Sequence, residues 1–180
     1  LMISPGQIRK LVEYALTNEK LDSKEIKEVF NNNNSIDLAL FGRMVADNPE
    51  LTVEATSQVA HAISTHEIEP EFDYFTALDD LQNKENAGAA MLGDLEYNSS
   101  TLYRYANVNI RELIDDLGKE DAIKGVKEFI KSFVKSMPTG KQNTFANKTV
   151  PGYVMVVLRK DTPVNLVSAF EEPIRSKNGY

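Results

Sequence analysis

Hydrophobic positions change period several times along the chain. Ser4-Pro5 suits a helix cap followed by a first-turn proline, and Ile8, Leu11, Val12, Ala15 and Leu16 then recur at helical spacing. This predicts an amphipathic helix over about 5–17. Asp22 or Ser23 can cap a second, short helix in which Ile26, Val29 and Phe30 share a face, ended by the run Asn31–Asn34. Ile36–Phe41 is apolar apart from Asp37 and reads as a short strand, leading into Gly42-Arg43-Met44 and the turn-like Asp47-Asn48-Pro49. From Val53, the positions Val53, Ala55, Ser57, Val59, His61 and Ile63 alternate with Thr56, Gln58, Ala60 and Ala62. That period of two fits a long strand, although the alanines leave helix open.

Residues 67–98 lose the period, carry Pro70, Gly88 and Gly93, and hold an acidic cluster around a helical turn at Phe75–Leu81. They read as an excursion from the core. Strand character returns at Leu95, Tyr97 and Thr101–Ile110. The clearest helix is 121–135, where Ala122, Ile123, Val126, Phe129, Ile130, Phe133 and Val134 form one stripe and Met137-Pro138 stops it. Tyr153–Arg159 reads as a buried strand, and Val164–Phe170 as an apolar segment of open type. The order of elements predicts an α+β domain with helices on one face of an antiparallel sheet, which permits a split β-α-β arrangement.

Composition narrows the function classes. The 180 residues are 42% hydrophobic and 26% charged, enough for one substantial core with insertions. Without cysteine there is no disulfide framework, thiolate zinc site or cysteine nucleophile. No apolar run approaches the roughly 18–20 residues of a membrane span, and no signal-peptide pattern opens the chain, so no membrane partner and a cytoplasmic location are expected. The start at Leu1-Met2, four residues before a helix signal, suggests a fragment of a longer protein. A net charge of −7 argues against a basic nucleic-acid face spread over the whole surface.

Both histidines, His61 and His66, lie in the segment HAISTHEIEPEFDYFTALDDL. In a strand they point to opposite faces, and in a helix they stand about 140° apart, so regular structure does not let them share a metal. A break between them, with Asp73, Asp79 or Asp80 closing the shell, would be needed. The adjacent aromatics Tyr74 and Phe75 either dock the excursion onto a core or present a stacking surface. Met44 is either an edge core residue or an apolar wedge. Pro138-Thr139-Gly140-Lys141-Gln142 lacks the length and glycines of a P-loop, leaving Lys141 as a lone cation. Lys127, Lys131 and Lys135 form an i, i+4 series typical of a wet helix face. No GxSxG, HExxH, GxGxxG or Walker motif is present.

Five stretches in this order resemble one family: IDLALFGRMVADNPE, QVAHAISTHEIEPEFDYFTALDDL, LEYNSSTLYRYANVNI, PTGKQNTFA and PVNLVSAFEEPI. They are similar to the CasC backbone subunits of the type I-E CRISPR surveillance complex, Cascade, over about residues 35–179. The resemblance implies an RNA-recognition-motif or ferredoxin-like palm (53–180), a partial helical fingers segment (1–52) and a protruding thumb hairpin (about 67–98). It also implies copies stacked head to tail along the CRISPR RNA beside other Cascade subunits, meeting the target DNA strand through the guide duplex. A binding scaffold for antiviral defence with no catalysis and no cofactor is expected. Carried over by position, Met44 would pack beside a kinked nucleotide, and Tyr74, Phe75 and Leu78 would stack on or wedge between bases. Tyr74 stands where the family often has tryptophan.

The family's chain is about twice as long, and its Lys/Arg-rich RNA-gripping segment has no counterpart here, which reconciles RNA binding with the acidic charge. Arg43, Lys141 and Arg104 are the candidates for phosphate or base-edge contact, with structural ion pairing as the competing reading. The alternative function is a metal-dependent nuclease or phosphohydrolase using His61, His66, Asp79 and Asp80. A third reading is a structural module whose aromatics dock internally.

Overall fold

The computed structural model describes residues 2–18, 20, 22–31, 33–77, 81 and 91–175. The chain divides into two compact units, one of Leu1–Val59 with Ala106–Pro163, the other of Ala60–Tyr105 with Val164–Tyr180. Helices and short antiparallel ladders make the fold α+β.

The first unit is mainly helical. Helix α1 (Pro5–Thr17) begins at a capping box, in which Ser4 Oγ accepts from the Gln7 N–H and Gln7 Oε1 accepts from the Ser4 N–H. Helix α2 (Ser23–Phe30) is capped by Asp22, whose carboxylate accepts from Lys24 and Glu25. Helix α3 occupies Ile36–Phe41, where a strand was expected. Leu38, Ala39 and Leu40 are all buried. A short run in which three consecutive residues are buried carries neither the strand nor the helix period, so its type was settled by packing. It stops at Gly42, whose φ of 71° suits glycine, and where a Cβ would lie 2.6 Å from Val53 O. That close approach lets Arg43 and Val53 exchange two backbone hydrogen bonds of 2.8 Å.

Strand β1 is only Ser57–Val59, paired with β6 (Ala106–Val108) in the register Ser57↔Val108 to Val59↔Ala106. The long strand expected from Val53 is therefore cut short. At its start, Thr56 Oγ1 and Ser57 Oγ donate to the carbonyls of Ala39 and Leu40, which ties the chain to the end of α3. Helices α4 (Ile110–Leu117) and α5 (Lys119–Lys135) follow, and the core of the unit gathers Ala39, Leu40, Leu113, Ala122 and Phe129. Burying a leucine as completely as Leu113 contributes roughly 1.5–3 kcal/mol. The α5 lysines form a wet face, with Lys124 and Lys131 paired to Asp121 and Glu128.

A four-residue turn of helix, α6 (Gln142–Phe145), comes next. The strand expected at Tyr153–Arg159 does not form; Tyr153 to Leu158 are exposed and belong to no ladder among the described residues. The β-branched run gives the propensity, but a strand exists only where another strand takes up its N–H and C=O groups.

In the second unit, β2 (Ile63–Ser64) pairs with β5 (Leu102–Tyr103), and β3 (Glu71–Ala77) pairs antiparallel with β4 (Met91–Tyr97) from Glu71↔Tyr97 to Ala77↔Met91. The helical turn expected from Phe75 is thus strand through Ala77, and residues 78–80 lie outside the described residues. Tyr103 anchors the second segment of the unit. Its ring packs on Phe170 with centroids 5.1 Å apart, and its hydroxyl donates to Asn165 and accepts from the Leu166 N–H.

Candidate nucleic-acid interface

The β3–β4 ladder is short of apolar cover yet rich in aromatics. Tyr74 is 62% exposed and so is not docked out of solvent as the structural-module reading requires, whereas Phe75, 37% exposed, lies against Gly93 of the partner strand. Successive strand residues face opposite ways. Tyr74 therefore lies on the face of Phe72, Thr76, Leu92, Asp94 and Glu96, and Phe75 on the face of Asp73, Gly93, Leu95 and Tyr97. Two residues adjacent in sequence cannot form one surface here. Phe72, 69% exposed, shares the Tyr74 face and was missed by the sequence reading, which took this stretch for a loop and helical turn. Its signal was a two-residue interval inside a strand. Leu78 lies outside the described residues.

Charge on the described residues of the hairpin is one-signed. Between 67 and 77 and between 91 and 97 there are six carboxylates, Glu67, Glu69, Glu71, Asp73, Asp94 and Glu96, and no lysine or arginine. Such a surface repels phosphate.

In the first unit, Met44 is 85% exposed, which removes the edge-core reading. Its neighbour Arg43 is a correction. The side chain is 5% exposed, and its guanidinium donates to the carbonyls of Leu51, Met2 and Phe30 and to Gln7 Oε1. It also lies over the Phe30 ring, 5.6 Å from the centroid. Burial pulls its pKa down from the ordinary guanidinium value. Its donors are committed to closing the fold, so Arg43 is not available to a phosphate. Sequence showed a cation after an apolar run, but not the carbonyls that converge on it.

Lys141 is exposed, in the left-handed region at φ 56°, before α6. The N–H groups of Gln142, Thr144 and Phe145 are used within the turn, on Thr139 O and Lys141 O, so those three do not face an anion. Arg104 is half-buried. His66 accepts from the Thr101 N–H at Nε2 and therefore donates from Nδ1 to Glu67 O, so both ring nitrogens are engaged. Among the described residues no group of three His, Asp or Glu could hold a metal ion, and Asp79 and Asp80 lie outside them. Among the same residues no helix is long and apolar enough to cross a membrane.

A family model described as CT1975-like protein matches residues 1–180. The chain belongs to that family. Two solved relatives place the CT1975-like chain in context. One is a chain of a "CRISPR RNA-guided surveillance complex, pre-nicking", 34% identical, with a TM-score of 0.80 over 96% of this chain and 48% of that one. Another belongs to a "CRISPR RNA-guided surveillance complex", 32% identical, with a TM-score of 0.71 over 99% of this chain and 64% of that one. The CT1975-like chain thus spans about half of the first relative and under two thirds of the second. No curated protein matches it.

Proposed function

We propose that the chain is part of a CRISPR RNA-binding backbone subunit of a type I-E Cascade complex, which oligomerises head to tail along the guide RNA. The observation that carries this reading is the β3–β4 hairpin, with Tyr74 held in solvent, in a fold that matches a chain of an RNA-guided surveillance complex. In this reading the hairpin is the thumb (about 67–98), residues 1–52 belong to the fingers, and 53–180 to an RNA-recognition-motif-like palm. Met44 packs beside a displaced nucleotide, Lys141 contacts phosphate, and Arg104 is a second cation candidate. Arg43 is a structural residue.

Stacking reads no base identity, because every base has a π face, and phosphate contact reads none either. A subunit built on both accepts any guide sequence. It needs no chemistry of its own and works in the cytoplasm beside other Cascade subunits, meeting target DNA through the guide duplex. The test is guide-RNA retention and complex assembly by the full-length protein carrying Tyr74→Ala and Phe75→Ala together. The expected result is loss of RNA affinity and of assembly; wild-type behaviour in both measurements would sink the reading.

The metal-dependent nuclease reading is not favoured by any geometry described above. His66 has both nitrogens in use, and His61 is exposed five residues away.

A further inference from the structure

The β3–β4 hairpin joins the β2–β5 ladder through a break in pairing. Ser64 is opposite Leu102 before the break and Glu71 is opposite Tyr97 after it, so six residues, 65–70, on the outgoing side span the same gap as four, 98–101, on the returning side. Surplus residues on one strand interrupt a ladder and bend it. Pro70 also has no N–H to offer a partner. The break begins at one bond. Continued by a step, the β2–β5 register sets Thr65 against Thr101, and such a pair in an antiparallel ladder exchanges two N–H···O bonds. Thr65 N–H does donate to Thr101 O, at 2.9 Å. The reciprocal bond is replaced by two others: Thr65 O accepts from the Ile174 N–H at 3.0 Å, and the Thr101 N–H donates to His66 Nε2 at 3.1 Å.

The imidazole thus stands in for a strand carbonyl and releases that carbonyl to Ile174. Its Nδ1 is 2.7 Å from Glu67 O, which keeps the proton on Nδ1 and leaves Nε2 as the acceptor. Ser64 Oγ braces the backbone at the same place, donating to His66 O and accepting from the His66 N–H. Only a neutral ring has an acceptor nitrogen. Protonation sets an Nε2–H against the Thr101 N–H, so the bond exists while the ring is neutral and is lost as pH falls and the ring charges. The Thr101 N–H can then close its pair with Thr65 O, in competition with Ile174, and the hairpin departs from a different point. The other titratable side chains on the segments that meet there are His61 ahead of β2, Glu67 and Glu69 on the outgoing side, Tyr103 and Arg104 at and after β5, and Glu171, Glu172 and Arg175 around Ile174; 98–101 carry none. Of these side-chain types, histidine is the one that ordinarily changes charge between about pH 5 and 8, which makes His61 the control.

We infer that His66 is a proton-sensitive hinge pin at the root of the hairpin. Its neutral Nδ1–H form ends the β2–β5 ladder and fixes where β3 and β4 depart; its charged form frees the joint. The hinge stands on these bonds alone, and its effect on RNA rests on the reading of the hairpin given above.

The test is nitrogen NMR on the full-length protein with isotope-labelled histidine, His66 being assigned by the signal that His66→Gln removes. At about pH 8 the ring should show a protonated Nδ1 and a bare Nε2. Between about pH 8 and about pH 5 the hydrogen-exchange protection factor of the Thr101 amide should fall about 2- to 10-fold, the range expected from loss of one hydrogen bond. His66→Ala should show the low protection throughout. His66→Gln, whose side-chain carbonyl accepts without titrating, should keep the high protection throughout, and His61→Gln should follow the wild type. An Nε2–H tautomer at the higher pH, protection of Thr101 that ignores pH, or equal protection in wild type and His66→Ala overturns the hinge pin. If His66→Ala fails to fold, the wild-type tautomer and pH profile decide. Affinity for a mixed-sequence single-stranded RNA should fall more in the wild type than in His66→Gln over the same pH range; equal falls, with the NMR as expected, overturn the link to RNA and leave the hinge standing.

Discussion

In the helical unit, Arg43 donates to three backbone carbonyls and to Gln7, and Leu38 and Leu113 are wholly out of water. In the β3–β4 hairpin, Phe72 and Tyr74 stand in solvent and every described charge between 71 and 77 or 91 and 97 is a carboxylate. The first region satisfies its own groups; the second is held by its ladder and by Phe75 over Gly93, which leaves the other face in solvent. An exposed residue is informative only beside a nearby one whose valences are filled. Arg43 and Met44 make the same point one bond apart, one buried among carbonyls and the other 85% exposed.

The largest expected effect breaks the first side of this contrast. Arg43→Ala should lower unfolding free energy by about 2–4 kcal/mol in urea titration, since several buried acceptors lose a charged donor, and Arg43→Lys should recover only part. RNA affinity measured well below the unfolding transition should not change. A drop in affinity at wild-type stability would return Arg43 to the interface.

The hairpin side is sharpened by its acids. Asp94→Asn with Glu96→Gln should raise affinity for single-stranded RNA by about fivefold at low salt, with the gain shrinking as salt shortens the Debye length below about 10 Å. Weaker binding in this variant would mean that the carboxylates hold the RNA rather than turn its backbone away. Stability should move by no more than about 0.5 kcal/mol.

The smallest effect belongs to α4. Partial burial raises the pKa of Asp116, and Glu112 and Asp115 add to the rise. The folded state then holds the proton more tightly than the unfolded one. Stability is therefore highest below the unfolded value of about 4 and falls as pH rises through the folded value. Asp116→Asn should remove that fall, with a gain of at most about 0.5 kcal/mol at neutral pH after solvent screening and none in acid. A pH scan of thermal unfolding checks it, and should leave the hairpin's RNA affinity untouched.

Much of the helical unit was legible because its signals are local. Ser4-Pro5 and Asp22 cap the helices they were expected to cap, and the stripe through Ala122, Val126 and Phe129 lies in α5, which opens at Lys119 and closes at Lys135. Ile36–Phe41 was misread because a short run with three consecutive buried residues, Leu38 to Leu40, carries neither period. Tyr153–Arg159 was misread because composition gives propensity and not a partner strand. On the hairpin, Tyr74 was singled out by its residue type in an acidic setting, while Phe72 was hidden by the mistaken turn. The opposite facing of Tyr74 and Phe75 follows from strand alternation and was hidden by the same mistaken turn.

By itself, the sequence determined the capped helices, the α+β class, the lack of thiol chemistry and an acidic excursion carrying aromatics, because each follows from residues within a few positions of one another. Only the tertiary structure decided that Arg43 closes a fold, that Phe75 covers Gly93 and that Phe72 joins Tyr74 on an open face. Those facts depend on strand register and on carbonyls brought in from Met2, Phe30 and Leu51, and distance along the chain does not encode distance in space.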